Sequence, residues 1–124
     1  MKKILLGLFL SLTMVSFAND MYDYVEDKLE LKYQQLVDNK NNKLDIEGID
    51  VGTFGNKLYV KIEMETFSGD GGWEKFDKVS YEKIAKNIAD EVRQMLDTNS
   101  EVEVSLILEK EMGDKDILLA SKIY

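Results

Sequence analysis

The residues best equipped for chemistry open the stretch Ser68-Gly69-Asp70-Gly71-Gly72-Trp73, with Phe76 three positions on. Glycines let a backbone come close to a ligand, and a tryptophan offers a flat face for stacking. The run is not a phosphate loop: the closing Gly-Lys-Ser or Gly-Lys-Thr is missing, and the glycines lack the spacing of a dinucleotide fingerprint. It therefore reads either as a ligand-contacting loop or as a connector whose Trp73 and Phe76 tuck over the edge of a core.

Carboxylates are the second source of chemistry. The acids and amides from Asp38 to Glu47 suggest calcium, but an EF-hand needs an oxygen ligand third, glycine sixth and glutamate twelfth. Counting from Asp38, those places hold Lys40, Lys43 and Ile49, so no metal is expected. Asp45, Glu47, Glu63 and Glu65 alternate with apolar neighbours, a pattern that points them to water and not into the cleft a carboxylate hydrolase needs. The chain has no histidine and no cysteine. Their absence removes the commonest general base and zinc ligand, and with them Ser-His-Asp and Cys-His catalysis. The chain thus reads as non-enzymatic, with no catalytic residue and no cofactor. Tyr59 and Phe67, set among Lys61, Glu63 and Glu65, form one strand face on which Leu118 and Tyr124 are candidate neighbours. Aromatics of this kind are enriched in the cores of interfaces. The residues expected to touch a partner or ligand are Tyr59, Phe67, Asp70, Trp73 and Phe76.

What positions them is first a central helix, Val79 to Asn99. Tyr81, Ile84, Ala85, Ile88, Val92, Met95 and Leu96 recur at helical spacing on one stripe. Ser80 suits its N-cap, Val79 and Ile84 a hydrophobic staple, and Asn99 its left-handed end. An earlier helix, capped by Asn19 or Asp20, would carry Tyr22, Val25, Leu29, Tyr33 and Leu36 on its stripe before a polar linker at Asp38 to Lys43.

Gly55-Asn56 suits a type II′ hairpin turn, which sets Thr53 opposite Leu58, Val51 opposite Val60, Ile49 opposite Ile62 and Asp50 opposite Lys61. A bulge at Gly48 would bring Leu44 and Ile46 onto the buried face, with Ile46 opposite Met64. Gly113-Asp114 would close a second hairpin, pairing Leu108 with Leu119, Val104 with Ile123 and Ile107 with Ala120. At an offset of 59 the two helical stripes superpose, which fits an internal duplication and equally the alignment that any two amphipathic helices give.

The expected fold is α+β, a two-layer sandwich in the order α-β-β-α-β-β: a four-stranded, mostly antiparallel sheet with both helices on one face. In topology this resembles the BON domain, a phospholipid-binding envelope module that packs two helices on a small mixed sheet. The likeness carries no motif, and this chain has a strand more.

Lys2 and Lys3, the apolar run Ile4 to Val15 and Ser16-Phe17-Ala18 read as a cleavable export leader, residues 1–18, ahead of a single domain at 19–124. Leaving out the leader removes two lysines and no acid, and takes the net charge from −8 to −10. Such acidity disfavours nucleic acid and anionic lipid, both of which demand a cationic face. The expectation is a periplasmic or secreted binding domain whose partner is a protein of the cell envelope. The alternatives are a small-ligand or lipid carrier and, further off, a hydrolase built on carboxylates alone.

Overall fold

A computed structural model describes residues 11–66, 69–110 and 115–124, with side chains from Asp20 onward. Its elements are α1 (Ser11–Lys32), β1 (Gln35–Val37), β2 (Lys43–Asp45), β3 (Gly48–Phe54), β4 (Lys57–Thr66), α2 (Lys78–Leu96), β5 (Val102–Lys110) and β6 (Ile117–Ile123). The fold is α+β, but with two sheets: a small pair β1-β2 and a four-stranded sheet ordered β3-β4-β5-β6. The larger sheet is mixed, since β4 and β5 run parallel between two antiparallel pairs. A parallel neighbour requires a crossover, and α2 is that crossover.

The first hairpin has the expected register throughout, from Thr53 opposite Leu58 to Ile49 opposite Ile62. Gly55 has φ of 64°, the conformation its turn requires. At Gly48, which pairs Glu63, the Glu47 amide also donates to the Glu63 carbonyl at 2.7 Å, so two residues oppose one as in the expected bulge; the chain then leaves β4 as the Ile46 amide donates to the Gln34 carbonyl, and Ile46 does not pair with Met64. Leu44 is instead buried in β2, opposite Leu36 in β1. That exchange ends the first helix early. Leu36 belongs to a strand, and the helix carrying buried Tyr22, Val25 and Leu29 passes through Asn19 and Asp20 without a break.

In α2 the expected stripe is inward, with Tyr81, Ala85, Ile88 and Val92 buried and Ile84, Met95 and Leu96 packed at its margin. The ends differ. Asp77 is the N-cap, its carboxylate accepting from both the amide and the hydroxyl of Ser80 at 2.8 Å. Ser80 therefore lies inside the first turn, and Val79, 64% exposed, staples nothing. Asp97, at φ of 55°, closes the helix two residues before Asn99. Glu91 ties the helices together, accepting from the Tyr33 hydroxyl at 2.6 Å and the Lys32 ammonium at 2.7 Å. Burial, together with the hydrogen bond to Glu91, raises the Tyr33 pKa.

In the second hairpin the expected register is displaced. Val104 pairs Lys122 and Leu106 pairs Ala120; after an irregularity at Leu106 and Ile107, Leu108 pairs Ile117. The Gly113-Asp114 turn itself lies outside the described residues. Nearest the turn the partners are displaced by two positions from those that closure at Gly113-Asp114 would give, and the irregularity, which skips Leu119, brings the offset down to one from Leu106 onward.

Val60, Ile62, Met64, Val104, Leu106 and Leu108 point to the helices and join them in one core. The edge of that sheet at β3 is sealed in an unusual way. Its outward amides at Ile49 and Val51 donate to the carboxylates of Glu30 and Glu26 at 2.9 and 2.8 Å. Acids four apart on a helix stand about 6 Å along its axis, and amides two apart on a strand about 6.7 Å, so the two repeats match.

Candidate functional site

The glycine-rich loop is built around Asp70. Its carboxylate accepts from the amides of Gly72 at 3.0 Å and Glu74 at 2.7 Å, and these bonds hold its pKa below the usual aspartate range. Positive φ at Gly69, Gly71 and Gly72 folds the loop down on the core. There is little room beneath it: a methyl group added at Gly71 would come within 2.8 Å of the Met64 methyl. Trp73 stacks on Phe76 with ring centres 6.4 Å apart and meets Tyr81 edge-on at 5.2 Å. The Lys78 ammonium sits 4.3 Å from the Trp73 ring centre and donates to the carbonyls of Trp73 and Phe76. Phe76 is buried. The aromatics of this loop thus close the end of the core. Tyr81 is also buried, its hydroxyl without a hydrogen-bond partner, and burial raises its pKa.

Tyr59 stands elsewhere, on the sheet face turned away from the helices. Its ring covers Gly52 of β3 so closely that a Cβ there would lie 2.6 Å from the Tyr59 hydroxyl. From Tyr59 to Met64, beside the loop, is five residues of strand, about 17 Å. Asp70, Trp73 and Phe76 therefore form one assembly and Tyr59 belongs to another. Phe67 lies outside the described residues.

The outer face reads row by row from the register. Gly52, Tyr59, Glu103 and Ile123 make one row; Asp50, Lys61, Ser105 and Ser121 the next; Gly48, Glu63, Ile107 and Leu118 the third; Glu65 and Glu109 continue beyond it. Lys61 is shared, 3.9 Å from Asp50 and 3.7 Å from Glu63. Carboxylates here crowd one another. Glu47 is hydrogen-bonded to Glu65, which raises its pKa. Glu63 is raised by burial first, then by Asp50 and Glu109. Toward β6 the surface turns apolar, with Leu118 61% and Ile123 46% exposed.

One functional-looking residue was missed. Asp38, at the start of the polar linker, is buried, and its carboxylate accepts from the amides of Lys40, Asn42 and Asp77 and from the Asn42 side chain, all within 2.9 Å. It joins the β1-β2 turn to the start of α2. A signal existed: an aspartate opening the run Asn-Lys-Asn-Asn is a turn former whose carboxylate bonds amides two and more residues on.

Among the described residues no group of three or more histidines, cysteines or acids is placed to hold a metal ion, and no helix is long and apolar enough to cross a membrane. No family model, curated protein or solved structure matches the chain.

Proposed function

We propose that this is an exported, non-enzymatic binding domain that docks a protein partner on the outer side of its sheet, over β5 and β6. One observation carries the reading. The helices cover one face of the sheet and the carboxylates of α1 seal one edge, yet Leu118 and Ile123 are left exposed on the opposite side. Apolar residues beside a polar, charged surface have the composition of an interface core and its rim. The Trp73 loop supports the fold and not the contact, since its aromatics pack inward. A carrier would need space beneath that loop, where Gly71 already sits against Met64. Acid-base catalysis would need a cleft that excludes water, whereas Glu47 and Glu65 stand off the outer face of the sheet.

Export rests on the charged and apolar pattern of residues 1–18, and it places the partner in the periplasm or outside the cell.

The test is photo-crosslinking in the producing cell from a benzophenone side chain placed at position 118, with position 83 on the solvent side of α2 as control. An adduct of defined mass from 118 and none from 83 is expected. Equal adducts, or none, would remove the surface.

A further inference from the structure

We propose that the partner binds by strand addition: an extended segment with lysine or arginine at alternate positions pairs with the free edge of β6 as a fifth strand. The proposal rests on the reading of β5 and β6 as the docking side, and it specifies the mode and the chemistry of the occupant.

The backbone supplies the first argument. Tyr124 exchanges both its main-chain bonds with Val102, at 3.1 and 2.9 Å. Along an antiparallel ladder such residues alternate with ones that turn the other way. Lys122 and Ala120, opposite Val104 and Leu106, therefore also face β5. Ser121 and Ile123 turn their amides and carbonyls outward, and among the described residues no strand pairs with that edge.

The contrast with β3 is the second argument. An open edge is a template for another chain, and proteins blunt such edges with charge, proline, bulges or a covering element. At β3 the cover is present, and Glu26 and Glu30 occupy the very amides a strand would use. At β6 an irregularity and Lys122, which is turned to Glu82 at 3.5 Å, are present, but among the described residues no element lies along the edge, and Ile117, Leu118 and Ile123 offer apolar contacts on both faces of an added strand.

Charge selects the occupant. The chain carries −8, and on β5, next to β6, the outer face holds Glu109 and Glu103, the latter 3.7 Å from Lys57. A second copy would bring the same negative charge. A strand beside β6 runs about 10 Å from β5, within reach of a long cationic side chain laid across one strand and near the screening length of physiological salt. Lysines or arginines at every second position would thus meet the glutamates, while the residues between them cover Ile117 on the helix side.

Fluorescence anisotropy of the whole chain with a labelled ten-residue peptide alternating lysine and valine tests this, against a peptide alternating glutamate and valine. Saturable binding is expected only for the lysine peptide. The Ser121 and Ile123 amides should gain hydrogen-exchange protection on binding. Ile123→Pro removes an outward donor, which an edge strand tolerates, and should weaken binding at least tenfold with the melting temperature unchanged. If that variant unfolds, amide protection in the wild type decides. Equal binding of both peptides, no binding, or protection that bypasses Ser121 and Ile123 would overturn the proposal. So would a concentration-dependent dimer that Ile123→Pro dissolves, because the occupant would then be a second copy. A crosslink from position 118 that survives any of these results would keep the docking surface and remove only the strand mode.

Discussion

Asp38→Ala should lower the melting temperature by roughly 10 °C or more, the scale expected when several buried donors in a domain of this size lose one shared acceptor. Four hydrogen bonds end on that carboxylate, from Lys40, Asn42 twice and Asp77. The donors sit on two elements distant in sequence. Without them the turn between β1 and β2 and the first turn of α2 come apart, and the amides of Ser80 and Tyr81, both bonded to Asp77, should lose exchange protection first. Asp38→Asn keeps the shape but replaces one acceptor oxygen by a donor facing donors, so it should recover only part of the loss. Calorimetry of the three proteins checks the order.

The same group sets the acid limb of stability. Burial pushes the Asp38 pKa up, but its hydrogen bonds outweigh burial and hold it at about 2, against an ordinary value of 3.8. A carboxyl lowered on folding stabilises the native state above its unfolded pKa, and that contribution is lost as pH falls from 3.8 through about 2. Asp70 and Asp77, held low by backbone amides, add in the same direction. Glu47 and Glu63 act the other way. Their pKa values are raised, that of Glu47 by Glu65 and that of Glu63 first by burial and then by neighbouring acids, so stability rises as pH falls through their range. Stability should therefore pass through a maximum on the acid side of neutrality before collapsing. Asp38→Ala should flatten the steep lower limb.

Glu26→Ala with Glu30→Ala should cost about 2–4 kcal/mol, from two charge-assisted bonds to the amides of Val51 and Ile49. The second consequence distinguishes this pair from an ordinary destabilised variant. Both edges of the sheet would then be open, and the protein should self-associate under conditions that leave the wild type monodisperse. Chemical denaturation measures the first effect and light scattering the second. A double variant that loses stability without associating would mean that the carboxylates only anchor α1.

How much of this was legible beforehand depended on whether two signals agreed. At the first hairpin the turn chemistry of Gly55-Asn56 and the alternation of Ile49, Val51, Leu58, Val60 and Ile62 fixed the same register, which is the register found. In α2 the period is long enough for its stripe to be unambiguous, although the cap moved from Ser80 to Asp77, because either side chain suits the site. Leu36 and Leu44 were misread because strands of three residues are too short to show a period, so Leu36 fitted the helical stripe equally well. The parallel pairing of β4 and β5 decides that the sheet is mixed, and it depends on which strands become neighbours. Pattern within a strand does not contain that.

The site was less legible than the fold. Trp73 and Phe76 were rightly singled out as a unit, but whether an aromatic packs inward or waits for a ligand depends on the space beneath it, which Met64 and Leu44 define. Glu26 and Glu30 look like any acids on the wet side of a helix. Their function appears only when β3 is set beside them.

The sheet has one sealed edge and one free edge, and amide hydrogen exchange of the isolated protein distinguishes them residue by residue. Ile49 and Val51, on the β3 edge, should exchange slowly and Ser121 and Ile123, on the β6 edge, fast, with Lys122 between them slow. Fast exchange at Ile49 and Val51, or protection of Ser121 and Ile123 equal to that of Lys122, would contradict it.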